Sequence, residues 1–511
     1  MKKQSLVKGT LILGLASVFT RFIGIFFRIP VQNLIGDEGM GYYQMSYPLY
    51  AVFIAVSSGI PIAVSKMVSE RNAINDRSGA VQVLRDSVVL MGILSIGFTG
   101  SLLAFSKNIV YALKWDPKAY YALIAIAIAP VFIAIMSCLR GFFQGLQNMN
   151  PTAVSQMLEQ VGRVVVGVGL AYLLMPKGIE FAAAGAALGA AAGGIISDLY
   201  LCSKYVRVRK EFYRGLIMRD KGIMEELLSI AIPISLGAAV GGVMSLVDSI
   251  LVPQKLLQAG FTSKEATVLY SQLTGKASVL INVPLGLSVA LGSSLVPIIS
   301  EAFILNRRME VKRKVETALK ISFIISIPSF FGLYFMAHPI LNLVFNKQVG
   351  GYHILQYLSI SIPFIIMAQT TTSILQGTGN FRKPVINLFI GCIIKSLVTF
   401  YLVSIPAINV YGAVIGSILG YIAAALLNLK VLKKHLNISV NYYQVMIKPL
   451  YASVIMTFFV VFIYKYVYNY TMSINISCLS AILAGIVVYG ILICALGIFS
   501  YKSFKKRFMR K

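Results

Sequence analysis

The sequence is poor in charge. Only 13% of its 511 residues are Asp, Glu, Lys or Arg, against about a quarter in a soluble globular chain. Acids are scarcest, 18 against 46 Lys+Arg. Cysteine is sparse: Cys138, Cys202, Cys392, Cys478 and Cys494 fall singly in apolar surroundings, which argues against a disulfide framework or a CxxC site. The three histidines, His338, His353 and His435, lack metal-ligand spacing. No P-loop, no nucleophile motif and no GxGxxG in a strand–helix setting occurs. An enzyme is disfavoured, and so is an ATP-driven pump. No cofactor or metal is implied; uphill work must draw on an ion gradient, sodium being one candidate, or on the membrane potential.

What is abundant is apolar residue, 57% of the chain. Apolar runs of about 20 residues recur from end to end, the length that crosses a bilayer. About 14 are counted, centred near residues 18, 56, 96, 132, 164, 192, 238, 285, 326, 364, 395, 420, 457 and 487. In lipid the backbone must satisfy itself, so these are helices. A β-barrel would need short alternating segments. The expected fold is an all-α integral membrane protein. The start, MKKQSLVKGTLILGLASVFT, is basic and then apolar, but arginines and a proline follow in place of a cleavage site, so it reads as an uncleaved first helix.

A net charge of +28 raises nucleic acid as a partner, and its placement argues against it. With the N-terminus cytoplasmic, alternate loops hold most of the Lys and Arg. The opposite loops hold Lys107, Lys114, Lys118, Lys177, Lys255, Lys264 and Lys347. That is the positive-inside pattern, and it puts both termini in the cytoplasm. The runs RVRKEFYRGLIMRDKG (207–222), NRRMEVKRK (306–314) and KSFKKRFMRK (502–511) are suited to anionic lipid headgroups.

The chain also repeats itself. YPLYAVFIAVSSGIPIAVS (47–65) aligns with VPLGLSVALGSSLVPIISE (283–301), pairing Pro48 with Pro284 and Pro61 with Pro297. PVFIAIMSCLRGFFQGLQNMNP (130–151) aligns with PFIIMAQTTTSILQGTGNFRKP (363–384), pairing Pro130 with Pro363 and Pro151 with Pro384. Gly185 and Gly189 align with Gly416 and Gly420. Three matches in one order predict two parallel six-helix lobes, 1–210 and 220–435, then two further helices within 445–500 and a basic cytoplasmic tail, 501–511. The glycines predict close helix packing; Pro130, Pro233 and Pro363 predict kinks.

Some charges lie where lipid should be. An Arg at a helix centre costs roughly 2.5–3.5 kcal/mol on the insertion scale. Arg21 and Arg28, in TRFIGIFFRIPVQ (20–32), are seven apart, so they share a face about 10 Å apart along the axis. With Ser17 and Gly24 they form a stripe suited to an interior; alternatively Arg28 snorkels to the outer interface. Lys276, without a local acid, joins them as a cavity candidate. A cationic site within a bilayer suits a lipid-embedded anion, pyrophosphate above all, because guanidinium matches phosphate oxygens. Glu159 and Arg163 stand at i,i+4 and read as a structural ion pair. Asp248 and Lys395 read either as a buried pair or as an ion-coupling site in which Lys395 competes for Asp248. Asp198 is left unassigned.

Several stretches resemble a known family. GIPIAVSKMVSE (59–70), RGFFQGLQNMNPTAVSQMLEQVGRV (140–164), IPISLGAAVGGVMSLVDSILVP (232–253), SSLVPIISEA (293–302) and ILQGTGNFRKP (374–384) are similar to the stage V sporulation protein B family. This is a polysaccharide-biosynthesis branch of the multidrug/oligosaccharidyl-lipid/polysaccharide (MOP) exporter superfamily. The resemblance implies a MATE-like, two-lobed transporter of fourteen helices related to the MurJ lipid II flippases. It implies an undecaprenyl-pyrophosphate-linked sugar as cargo, a peptidoglycan or polysaccharide precursor moved to the outer leaflet, with spore cortex synthesis one destination. It puts Arg21 and Arg28 in a central cavity. Val52 and Phe53 stand where MurJ proteins are basic, and Lys276 lies about one turn before their helix-eight arginine. Asp248 matches an acid some relatives use for sodium, although the other ligands are not evident around Asn387 and Gly391. Two readings compete with the flippase: a cation-coupled multidrug antiporter, and a non-transporting scaffold that recruits cell-wall synthesis enzymes.

Overall fold

The computed structural model describes residues 6–212, 222–305, 307–345, 348–436 and 443–497. The basic tail and most of the first basic loop lie outside them. Among the described residues helix dominates and no strand occurs, as lipid demands of a backbone with no water to bond to. The chain divides into two compact units, Met1–Ser271 and Gln272–Lys511.

The first unit contains α1 (Leu6–Ser57), α2 (Gly59–Ala73), α3 (Arg77–Ala104), α4 (Ser106–Ala112), α5 (Ala119–Ala127), α6 (Ala129–Gly145), α7 (Asn150–Leu174), α8 (Ile179–Phe212), α9 (Gly222–Gln258) and α10 (Ser263–Ser271). The second opens with a π-helical turn, Gln272–Ala277, and continues with α11 (Ser278–Ile304), α12 (Arg308–Phe335), α13 (Ala337–Val344), α14 (Tyr352–Ser359), α15 (Ile362–Gly377), α16 (Arg382–Leu402) and α17 (Tyr411–Leu436). A second π turn, Tyr443–Ile447, precedes α18 (Lys448–Thr471) and α19 (Ile474–Ala495). Among the described residues, ten helical stretches are long and apolar enough to cross a membrane, or eleven if the bent pair α14–α15 is one span.

Two sequence signals find their place here. Pro130 and Pro363 each sit in the first turn of a helix, α6 and α15, just after a break; α14 and α15 meet at 44°. The missing N–H of proline costs nothing at that position. The aligned glycines hold helix pairs together. A Cβ on Gly189 of α8 would stand 2.7 Å from the Arg163 carbonyl and 2.8 Å from Gly167 of α7. One on Gly420 of α17 would stand 2.6 Å from the Gly391 carbonyl of α16. Small residues thus let two backbones touch in each half.

Unit 2 has its core between α11, α12, α15 and α17, around Leu319, Ile374, Leu375, Ala424 and Ala425. A second cluster, Met336, Met456, Val460, Cys478 and Ala481, fixes α18 and α19 to the end of α12. Polar contacts add to it: the Tyr489 hydroxyl donates to the Ile324 carbonyl at 3.0 Å, and the Asn342 amide to Asn475 at 3.1 Å.

Candidate functional site

Gly36, at φ +66°, ψ −170°, breaks α1 in a conformation that favours glycine. The first segment carries Arg21 and Arg28, the second Tyr43, Tyr47 and Tyr50. In a straight helix Arg28 and Tyr47 would lie about 28 Å apart. Instead the Arg28 guanidinium stands 5.9 Å from the Tyr47 ring centre, a cation–π distance. Phe27 meets Tyr43 at 5.9 Å. The second segment therefore turns back along the first.

Tyr43, Tyr47 and Tyr50 are spaced i, i+4, i+7 and share one face. Their rings follow each other at 5.7 and 5.6 Å. Beyond Tyr50 lies Arg163 of α7, whose Nη2 donates to the Tyr50 hydroxyl at 2.9 Å. The same nitrogen reaches Glu159 Oε1 at 3.4 Å. Glu159 Oε2 accepts from Arg140 Nη2 of α6 at 3.1 Å, and Arg140 Nε donates to the Ser155 hydroxyl at 2.8 Å. Two guanidiniums share one carboxylate, and Asp198 of α8 lies within electrostatic reach of Arg140 and Glu159. The three side chains are only 12–13% exposed. Arg163 Nε–H is buried and meets no acceptor among the described residues.

A second polar group binds α9 and α10 to the other end of the unit. Lys264 pairs with Glu38 at 2.9 Å, and Tyr42 donates to Glu38 at 2.8 Å. The hydrogen bond and charge of Glu38 hold the Lys264 ammonium above its ordinary value. Ser263 donates to Asp116 at 3.1 Å, the Trp115 indole N–H to the Ser249 carbonyl at 2.8 Å, and the Tyr270 hydroxyl to the Gln44 carbonyl at 3.3 Å. Gly41 lies against Thr267, whose carbonyl oxygen would be 2.7 Å from an added Cβ.

The predicted site residues separate. Arg28 joins the tyrosine row. Arg21 lies on the helical backbone of α1, and its side chain is outside the described residues. The Lys276 ammonium, 1% exposed in the π turn, donates to the carbonyls of Gln348 at 3.0 Å and Gly350 at 3.4 Å. Asp248 is half-buried on α9, next to Ser249. Lys395 is buried where α16 meets Gly416 and Gly420 of α17; it belongs to unit 2 and Asp248 to unit 1. Sequence reasoning missed Arg140 and the three tyrosines. The i, i+4, i+7 spacing of Tyr43, Tyr47 and Tyr50 was the one available signal; Arg140 sits 19 residues from Glu159, beyond any local rule.

A model described as "Polysaccharide biosynthesis protein" matches residues 6–303, more than half of the chain. The chain belongs to the polysaccharide biosynthesis protein family. A second model, MatE, matches residues 273–402 of this family member. It is similar to stage V sporulation protein B of Bacillus subtilis (strain 168), 32% identical over 450 residues that cover 86% of each chain. It is also similar to the lipid II flippase MurJ of the same organism, 26% identical, covering 87% of this chain and 85% of that one. Among solved structures, a lipid II flippase MurJ in an inward closed conformation superposes with a TM-score of 0.72 at 18% identity, covering 98% of this chain and all of the other. The polysaccharide biosynthesis family member thus shares the fold of that flippase and, with its many apolar spans, is a multi-pass membrane protein.

Proposed function

We propose that this chain is a flippase that carries an undecaprenyl-pyrophosphate-linked peptidoglycan or polysaccharide precursor from the cytoplasmic to the outer leaflet, with spore cortex as one destination. The observation that carries the reading is the arginine–tyrosine row. Arg28 beside Tyr47, and Arg163 beside Tyr50, set two guanidiniums along one row among apolar spans, and the Arg163 Nε–H meets no acceptor among the described residues. A pyrophosphate would supply acceptors to such donors. The names of the relatives support the same cargo class. Arg21 completes the pair with Arg28. Lys276, committed to two loop carbonyls, is proposed as a further phosphate ligand only when residues 348–350 release it. Glu159 and Arg163 are proposed to hold α7 in place, while Asp248 and Lys395 are proposed as a buried pair or, in the alternative, as an ion-coupling site.

The proposal includes fourteen spans, two six-helix lobes and cytoplasmic termini. Splitting Phe26–Ala73 at Gly36 and adding α9 and α11 to the eleven apolar stretches would bring the number to fourteen. On the lobe reading, α9 and α10 belong to the second repeat, and the Glu38–Lys264 and Trp115–Ser249 contacts are an outer gate.

The test is native mass spectrometry of the purified chain, titrated with undecaprenyl-pyrophosphate-linked disaccharide-pentapeptide and with undecaprenyl pyrophosphate. Arg21→Ala/Arg28→Ala should weaken both by roughly tenfold or more, at about 1.5–3 kcal/mol per charged hydrogen bond. Equal binding by a folded double variant would remove the clamp. The antiporter reading needs an acidic site for cationic drugs; Glu159 is shared by two arginines, so that reading would rest on Asp198 of α8, buried and with no hydrogen-bond partner among the described residues.

A further inference from the structure

Unit 2 holds a feature that this transport reading leaves unused. Six rings from four helices form one row: Tyr334 of α12, His338 of α13, Tyr352, His353 and Tyr357 of α14, and Tyr411 of α17. His338 meets Tyr352 edge-on at 5.3 Å, and Tyr352 meets His353 at 3.9 Å. His353 lies parallel to Tyr357 at 6.5 Å. Tyr357 is met edge-on by Tyr334 at 6.5 Å and by Tyr411 at 5.7 Å. His338, His353 and Tyr357 are exposed and the other three half-buried.

The row differs from the aromatic stripe on α18. There Phe462, Tyr466 and Tyr470 follow each other along one helix, the arrangement of a membrane-interface belt. Here separate helices converge to bring together rings that each end in a polar atom. A buried cation fixes the start of one of these helices, α14. Lys276 holds the Gln348 and Gly350 carbonyls, immediately before α14. Gly351, at φ +85°, lies so near the π turn that an added Cβ would stand 2.7 Å from Gln272 Cβ. The start of α14, and with it Tyr352 and His353, is held to the π turn.

We propose that this row is a binding platform for a pyranose sugar. The polarised C–H bonds of a sugar ring stack on electron-rich ring faces, and tyrosine hydroxyls and imidazole nitrogens bond its hydroxyls. The inference rests on the flippase reading, whose topology turns this end of unit 2 outward, where a carried headgroup emerges. Lys276 is its positioning residue.

Saturation-transfer difference NMR tests it, with full-length protein in nanodiscs and a β-1,4-linked N-acetylglucosamine trimer as probe. Wild type should transfer saturation to the sugar ring protons. Tyr352→Ala/Tyr357→Ala should lower the transfer roughly fivefold or more, from the loss of two stacking faces. Lys276→Met should lower it too, although no probe atom need touch Lys276. Arg28→Ala should keep the sugar signal while losing affinity for undecaprenyl pyrophosphate, so platform and flippase readings fail separately. No transfer to wild type, or equal transfer to a folded double variant, would overturn the platform and assign the rings to the interface belt.

Discussion

Glu159 answers to two arginines, not one. Its carboxylate lies between Arg140 and Arg163, so Glu159→Gln leaves two nearly buried guanidiniums facing each other. Breaking a buried ionic group costs about 3–5 kcal/mol. That loss should appear in thermal unfolding of the purified protein, and a variant as stable as wild type would contradict it. A second residue-scale expectation concerns α10. Thr262 and Glu265 cap each other: Glu265 Oε2 accepts from the Thr262 N–H at 2.9 Å, and the Thr262 hydroxyl from the Glu265 N–H at 3.3 Å. The Thr262 N–H, and the Thr262 hydroxyl at 2.8 Å, both donate to Glu265 Oε2 and hold the Glu265 carboxyl below its ordinary value of 4.5. A depressed folded value stabilises above the usual carboxylate range, and the contribution is lost as pH falls through it. Glu265→Ala should therefore lower the melting temperature at neutral pH, with the gap to wild type closing as pH falls below the ordinary carboxyl value and through the depressed one. A gap that persists in acid would point to lost packing instead.

Helix pairs tell how far the sequence could be read. The glycine spacing in residues 185–193 and 416–420 announced close packing, because only a missing side chain allows it, and α7–α8 and α16–α17 meet through those glycines. Gly189→Leu and Gly420→Leu should each destabilise by about 1–3 kcal/mol, the usual range for overpacking, measured by unfolding in detergent; a neutral result at either would deny that helix pair its close contact. Polar joints were not legible in the same way. Arg140, Glu159 and Ser197 join α6, α7 and α8. In the second half Thr372, Asn387 and Asn428 join α15, α16 and α17, with Asn387 donating to Asn428 at 2.9 Å and Asn428 to Thr372 at 3.1 Å. These positions correspond within a few residues under the repeat, so one joint is ionic and the other built of amides and a hydroxyl. Aligning proline and glycine finds the shared scaffold; residues that changed type carry the difference, and no identity marks them. Arg28 was legible because charge in lipid is costly, whereas its partner Tyr47 looked like any other ring in an apolar run.

At the scale of the whole molecule, the first compact unit runs to Ser271, past residue 220, where the proposed second lobe begins. α9 and α10 are kept with it by extensive packing against α1, α2 and α3, by the polar contacts above, and by two close approaches, Gly59 to Ala231 and Gly41 to Thr267. Gly41→Val should hold α10 away from α1. With the exposed Cys202 and Cys494 replaced by Ser, a Ser263→Cys reporter should react several-fold faster with an impermeant maleimide in the Gly41→Val background; unchanged labelling would mean that α10 does not depend on that contact. The same joint carries its own lamp. The chain has a single tryptophan, and it is Trp115, 4% exposed, with its indole bonded to the Ser249 carbonyl of α9. Emission excited at the red edge, where tyrosine is dark, therefore comes from this one contact. Each departure of α9 would expose the indole to water, shift its emission to the red and open it to iodide quenching, so an unlabelled, unmutated protein reports its own opening in real time.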